Sequence, residues 1–433
     1  MNTSAEYAKK LGTLNDAFQF VHSDMTVVLA GDCNCPQEFL HHLHTQAGRL
    51  QNVTVFKDHS NPAEFVAAEG MAGHLNSSTF FYGRDFVAGQ ALGNCSYLPT
   101  DLCNFASFME HYHPAELFVV GTTAMDENGD FEIGMCNMWE GDTLRAVLAR
   151  GGKIIVEANP NLPHVTGAEK INIKYVACVV EVDYKPGTIP ATAPTEDEIK
   201  VAQNVRSLLK DGDCVQFGIG SLPDSIAAQC MDLQDLGLHT EMITTALGRM
   251  IRKGIITGER KNINKGKHIF TFAGGDEALY ETLGQNKNCQ IVPGSYGVNP
   301  MVIRQNDNMV SVNTLIEMDL TGQVCSESIG TKQFSGSGGG FDFAYGAMMS
   351  KGGRGIMAFT SKTKKGYSKI KPVLTLGAAV TVPRNYVDYI VTEYGIAPMR
   401  GRTVRERANN LIGIAHPDFR EEMRREAQKL FYI

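Results

Sequence analysis

The stretch Cys214-Val-Gln-Phe-Gly-Ile-Gly-Ser-Leu-Pro223 decides the fold class. Cys214–Phe217 reads as a short buried strand, and Asp224–Leu233 as the helix that follows. Gly218 and Gly220 mark the tight turn between them. An earlier stretch echoes this one. Met25-Thr-Val-Val-Leu-Ala30 reads as a strand, Gly31-Asp-Cys-Asn-Cys-Pro36 has the same Gly-x4-Pro spacing, and Gln37–Ala47 reads as a helix. A proline near the first helical turn fits its fixed φ and missing N–H.

Similar runs extend outward in both directions. Leu117–Val120 and Lys153–Val156 read as strands in the first half. In the second half, Ile269–Phe272, Met309–Val312, Gly355–Ala358 and Val387–Val391 do the same. Apolar runs alternating with helices predict α/β domains with largely parallel sheets. The Pro-rich stretch Lys185–Glu196 offers few core contacts and predicts a linker. The expected organisation is therefore a domain over 1–185, a linker over 186–197 and a domain over 198–433. Two similar open α/β domains facing each other would form a cleft, a favoured place for ligands.

At 433 residues the chain is long enough for two such cores. It carries 40 Lys and Arg against 47 Asp and Glu, a net charge of −7, which argues against a broad grip on nucleic acid. No run of about 18 apolar residues is present, so no membrane span is expected. The stretch Met1–Asn15 is polar and lacks the apolar core of a signal peptide. The ten cysteines are scattered and are expected to be reduced thiols in the cytoplasm.

Three features offer chemistry. Gly218–Leu222 is either an ordinary strand-to-helix turn or one whose N–H groups meet an anion. It is neither a dinucleotide fingerprint nor a Walker loop. Glu241, in the apolar run Leu238–Ile243, is either a solvated or salt-bridged residue at a strand end or a desolvated carboxylate facing a cleft. Desolvation would raise its pKa and its nucleophilicity. Ser335-Gly-Ser-Gly-Gly-Gly-Phe-Asp-Phe343 has too many glycines for a helix or strand interior. With Phe334, Phe341 and Phe343 beside it, it reads as a packed loop whose N–H groups suit an oxyanion.

Other patterns carry less. Cys33, Cys35, His41, His42 and His44 lack a second ligand pair at zinc spacing, so no metal site is expected. His111 and His113 read as part of a turn. No Gly-x-Ser-x-Gly elbow occurs. Lys351–Arg354 and Lys362–Lys365 are basic clusters that suit either phosphate or solvent.

Taken together, these residues resemble the acetyl-CoA hydrolase/transferase family over nearly the whole chain. The resemblance is carried by Gly218–Pro223, Leu236–Met242, Asp319-Leu-Thr-Gly-Gln-Val324, Ser335–Gly339 with Asp342-Phe343, Val391-Thr-Glu-Tyr-Gly-Ile-Ala397, Arg405–Ala408 and Ile414-Ala-His-Pro-Asp-Phe-Arg420. Asp126–Gly129 fits the family's early hairpin. Within the family, the sequence is most similar to 4-hydroxybutyrate and butyrate CoA-transferases. One departure stands out: Gly340 occupies a position where the family usually has Gln.

The resemblance implies two open α/β domains of the CoA-transferase type, with the active site in the cleft between them. It implies Glu241 as the catalytic nucleophile. It implies Gly218, Ile219, Gly220, Ser221, Leu222, Ile316, Gly339 and Lys362 as CoA contacts, and Gly338, Gly339 and Gly340 as an N–H-rich loop for an oxyanion. The implied reaction is ping-pong transfer of CoA between short-chain acids such as acetate, butyrate and 4-hydroxybutyrate. A hydrolase using the same glutamate is the alternative. CoA thioester is then a substrate, no cofactor is permanently bound, and a homo-oligomer (dimer or larger) is expected.

Overall fold

A computed structural model of the chain describes residues 3–433 and divides into two compact units. Met1 and Asn2, the start of the stretch read as lacking a signal peptide, lie outside the described residues. The first unit runs to Ile189 and takes in Phe270–Gly297. The second comprises Pro190–Ile269 and Val298–Ile433.

The first unit is built on a fully parallel sheet. Its spatial order is Cys95–Tyr97, Leu75–Thr79, Val53–Phe56, Thr26–Leu29, Leu117–Thr122, Lys153–Ala158, Val176–Glu181. Every residue of Leu117–Thr122 is buried, as expected of a parallel strand covered on both faces. Val27, Val55, Phe39, Phe65, Leu117 and Val119 anchor the core on one side of it.

The echo at Gly31 takes its own form here. Asp32–Asn34 forms a 3₁₀ turn, and the helix Gln37–His42 gives way to a second 3₁₀ segment, Leu43–Arg49, rather than continuing to Ala47. The buried Glu157 carboxylate accepts the N–H groups of Phe39 at 2.6 Å and Glu38 at 3.3 Å. The helix start is thus occupied by the chain's own acid.

Residues 270–297, assigned with the second half on sequence continuity, pack instead with the first unit. Backbone bonds fix them there: Asn137 N–H to Thr271 O at 2.7 Å, Ala273 N–H to Met135 O at 2.9 Å, and Ile291 N–H to Thr166 O at 3.0 Å. Chain order could not reveal this, because the segment leaves and returns through neighbours close in sequence to the second unit.

In the second unit the sheet runs His268–Phe270, Gly237–His239, Cys214–Phe217, Met309–Asn313, Arg354–Ala358, Tyr389–Thr392 and Gly395–Pro398. All neighbours are parallel except the last pair. Met318, Met357, Ile390, Leu411 and Met423 belong to its main apolar cluster.

The two sheets share one topology. In each, the first strand is central, the next strands add to one side, and the chain then switches to the other. The switch lies between Thr26–Leu29 and Leu117–Thr122 in one unit. In the other it lies between Cys214–Phe217 and Met309–Asn313. Open α/β sheets bind ligands beyond the carboxyl ends of their strands at this kind of point.

Candidate active site

Four consecutive strands of the second sheet each lead into a residue singled out on the sequence. Glu241 follows Gly237–His239, Gly218–Leu222 follow Cys214–Phe217, Ile316 follows Met309–Asn313, and Lys362 follows Arg354–Ala358. Because these strands are parallel neighbours, all four segments emerge at the same edge of the sheet.

Glu241 sits in the short break between Gly237–His239 and Met242–Thr244. The buried Thr240 shapes this break. Its N–H donates to Ile269 O at 3.0 Å and its hydroxyl to Met242 O at 2.9 Å. The Glu241 carboxylate accepts the Gly339 N–H at 3.1 Å. Gly339 caps the helix Gly340–Met349, so the carboxylate faces the positive end of a ten-residue helix. The His239 and Phe343 rings, 6.4 Å apart, link the same strand to the same helix.

The glycine-rich stretch is therefore part loop and part helix. Gly340, expected in the loop, begins the helix, and its N–H donates to Ser337 O at 3.2 Å. Gly338 adopts a left-handed φ of 52°. Gly339 has an ordinary φ of −88°, and its need for glycine is spatial. A Cβ there would stand 2.5 Å from Glu241 Oε2. Of the three expected oxyanion donors, Gly339 is the one the geometry brings against Glu241.

Burial pushes the Glu241 carboxyl up to about 7, against the opposing pull of the Gly339 N–H. The residue still keeps partial contact with solvent. It is thus an ionisable group poised near neutrality at the end of a strand, as a nucleophile or base requires. If the ionised form attacks, kcat/KM for an acyl-CoA should be half-maximal near pH 7. Below that it should fall about tenfold per pH unit, as a pH–rate profile would record. A profile flat from pH 5 to 8 would exclude Glu241 as the titrating nucleophile.

The Gly218–Leu222 turn opens the helix Ser221–Gln229, three residues earlier than the sequence suggests. Gly220 has φ 116°, a conformation that side chains rarely adopt. Ile219 is 53% exposed, an apolar side chain presented to solvent at the strand end. Ser221 Oγ donates to Glu198 Oε1 at 2.7 Å, while Glu198 Oε2 completes the capping box of the helix Glu196–Arg206 with Thr195. Burial alone would raise the Glu198 pKa. The hydrogen bonds from Thr195 and Ser221 outweigh it and hold the group low and charged.

Ile316 donates its N–H to Cys325 O at 2.9 Å and is partly exposed. Lys362 lies in a loop held at its start by Glu393, which accepts the Ser361 N–H at 2.8 Å and hydroxyl at 2.6 Å. Its Nζ is 2.8 Å from His416 Nε2. Arg354, the other basic candidate, is tied to the buried Asp213 at 2.5 Å and to Leu208 O.

Sequence reasoning gave no role to Glu198, Glu393 or His416. The last two do lie inside motifs quoted for the resemblance. Asp319 in another of those motifs is explained by its turn: Oδ1 accepts N–H groups from Thr321, Gly322 and Gln323. Among the described residues, no group of three or more His, Cys, Asp or Glu is arranged to hold a metal, and no helix is long and apolar enough to cross a membrane.

The chain belongs to the acetyl-CoA hydrolase/transferase family. Residues 1–190 match the model of its N-terminal domain and residues 275–427 that of its C-terminal domain. The chain is 34% identical to the 4-hydroxybutyrate coenzyme A transferase of Clostridium kluyveri, over 98% of this chain and 99% of that one. It is 32% identical to the butyryl-CoA:acetate CoA-transferase of Anaerostipes caccae, over 99% and 98% respectively. The crystal structure of RipA from Yersinia pestis superposes with a TM-score of 0.93 at 31% identity, covering 100% of both chains.

Proposed function

We propose that the protein is an acyl-CoA:carboxylate CoA-transferase acting on short-chain acids such as 4-hydroxybutyrate, butyrate and acetate. The observation that carries this reading is the desolvated Glu241 carboxylate on the Gly339 N–H at the start of a helix. The names of the relatives support the same class.

In this reading the Glu241 carboxylate attacks the thioester carbonyl of an acyl-CoA. The C–S bond breaks, leaving an acyl-glutamyl anhydride and CoA thiolate. The thiolate then attacks the glutamyl carbonyl, releasing the first carboxylate and forming a glutamyl-CoA thioester. An incoming carboxylate reverses both steps. Each step passes through a tetrahedral oxyanion, on the acyl carbonyl oxygen in the first and on the glutamyl carbonyl oxygen in the second. The Gly339 N–H already lies on a glutamyl oxygen, where the second charge develops. A carboxylate is a weak nucleophile, so binding energy from the remote part of CoA must orient the reacting carbon. Gly218–Leu222, Ile316 and Lys362 would supply that grip, and excluding water from the anhydride favours transfer over hydrolysis. CoA thioester is substrate here rather than a resident cofactor. On the family resemblance alone, the chain works as a homo-oligomer, and its free, scattered cysteines suit a reducing cytoplasm.

The test is the intact-protein mass after incubation with butyryl-CoA, followed by borohydride trapping. Modification confined to Glu241, and discharged by acetate beforehand, is the expected result. Steady CoA release without acetate and without an adduct would overturn it in favour of hydrolysis or another nucleophile.

A further inference from the structure

Lys362 is held by an unusual partner for a lysine. Its Nζ lies 2.8 Å from His416 Nε2, and among the described residues no carboxylate pairs with it. An ammonium can only donate, so Nε2 must carry the ring's lone pair and the imidazole proton must sit on Nδ1. Nδ1 is 3.3 Å from the Asp418 carboxylate. The Asp418 backbone N–H also points at it from 3.3 Å, the N-cap bond of the helix Pro417–Lys429, which belongs to the other tautomer, with the proton on Nε2. With the proton on Nδ1, the carboxylate is the group it can bond. The contacts then read as a chain: Asp418 carboxylate, His416 imidazole, Lys362 ammonium.

The ring is well fixed. Its side chain is only 13% exposed. Tyr394 packs edge-on at 5.4 Å and Phe419 at 5.9 Å, and the Arg420 guanidinium lies over Tyr394 at 5.4 Å. The Lys362 backbone is fixed separately, through its bridge to Ser368 and the Thr360 hydroxyl on its carbonyl. Only the four-carbon stem is left to order, and holding a flexible lysine stem in one geometry costs rotamer entropy. A carboxylate partner would order the stem but neutralise the charge. A neutral imidazole orders it and leaves the full charge for an incoming anion. The nearby Glu393 is already engaged with Ser361.

We propose that His416 is a positioning residue: it presents the Lys362 ammonium to a phosphoryl group of the CoA substrate. This rests on the reading of Lys362 as a CoA contact, and the experiment separates the two. His416→Phe keeps the ring contacts and removes the acceptor, whereas His416→Gln restores an acceptor oxygen at similar reach. His416→Phe is expected to raise KM for butyryl-CoA about tenfold, with kcat at saturation and KM for acetate within twofold of wild type. With butyryl-pantetheine, which lacks the phosphoadenosine diphosphate portion, KM should not change. His416→Gln should recover most of the loss. Lys362→Met should match His416→Phe, and the double variant should be no worse than either.

If Lys362→Met leaves KM for butyryl-CoA unchanged, the CoA assignment of Lys362 fails and the inference with it. If Lys362→Met raises KM but His416→Phe does not, the inference alone fails. A loss shared equally by kcat, both KM values and the pantetheine thioester marks His416 as merely structural, and also overturns it. Should His416→Phe not fold, ¹⁵N spectra of the histidine rings give an independent answer. The Nδ1–H tautomer of His416 is expected in the wild type and should be lost in Lys362→Met. An Nε2–H tautomer in the wild type would refute the contact.

Discussion

Glu241→Gln is expected to lower kcat for acyl exchange by at least about 10³-fold while the protein keeps its fold. Glutamine preserves the side-chain length and an oxygen to accept the Gly339 N–H, which lies 3.1 Å from the native carboxylate. What it lacks is a nucleophilic oxyanion. Glu241→Asp keeps the charge but withdraws it by one methylene from the helix start. A misplacement of that size costs about 10²-fold. Stability should change in the opposite sense to activity. The folded chain holds the Glu241 proton up to about pH 7, whereas the ordinary value is 4.5, so native stability falls as pH rises through that window. Glutamine has no such proton to lose. The melting temperature of Glu241→Gln should therefore gain on wild type between pH 5 and pH 8. Near-normal exchange in Glu241→Gln would remove Glu241 from the chemistry altogether.

Much of the sheet could be read locally. Cys214–Phe217 is the strand expected, and Lys153–Val156 and Met309–Val312 fall within observed strands. Buried parallel strands leave continuous apolar runs, and nothing distant is needed to see them. Helix ends were less legible because tertiary contacts set them. Gly340 starts a helix despite its glycine neighbours, because that helix is packed against Met309–Asn313 and Arg354–Ala358. The site itself depends on pairs far apart in sequence. Glu241 and Gly339 are separated by 98 positions, and Lys362 and His416 by 54. No local pattern encodes such pairs, so the role proposed for Glu241 came from the resemblance, while the contact of His416 with Lys362 came from the structure. The echo at Gly31 and Gly218 reflects a shared strand order, yet only Gly31 leads into a helix start filled by Glu157.

Gly339→Ala is expected to lower kcat/KM by about 10²- to 10³-fold, the usual cost of losing one oxyanion donor. The backbone itself does not oppose the change, since φ −88° and ψ 9° suit any residue. The opposition comes from space. The added Cβ would stand 2.5 Å from Glu241 Oε2, 3.1 Å from its Cδ and 3.4 Å from Val298 Cγ1. The carboxylate must swing away, and with it goes the N–H that stabilises its charge. Since that hydrogen bond pulls the Glu241 pKa down, its loss should also move the midpoint of the pH–rate profile upward. Gly340→Ala provides the contrast. A Cβ at 340 meets nothing within 4 Å, and the Gly340 N–H is already engaged with Ser337 O. Its cost should stay below about tenfold, well under that of losing an oxyanion donor. Equal losses at 339 and 340 would mean that the loop acts through its flexibility rather than through one N–H. A large loss at 339 alone, with the pH midpoint displaced upward, would locate the stabilising contact at Gly339.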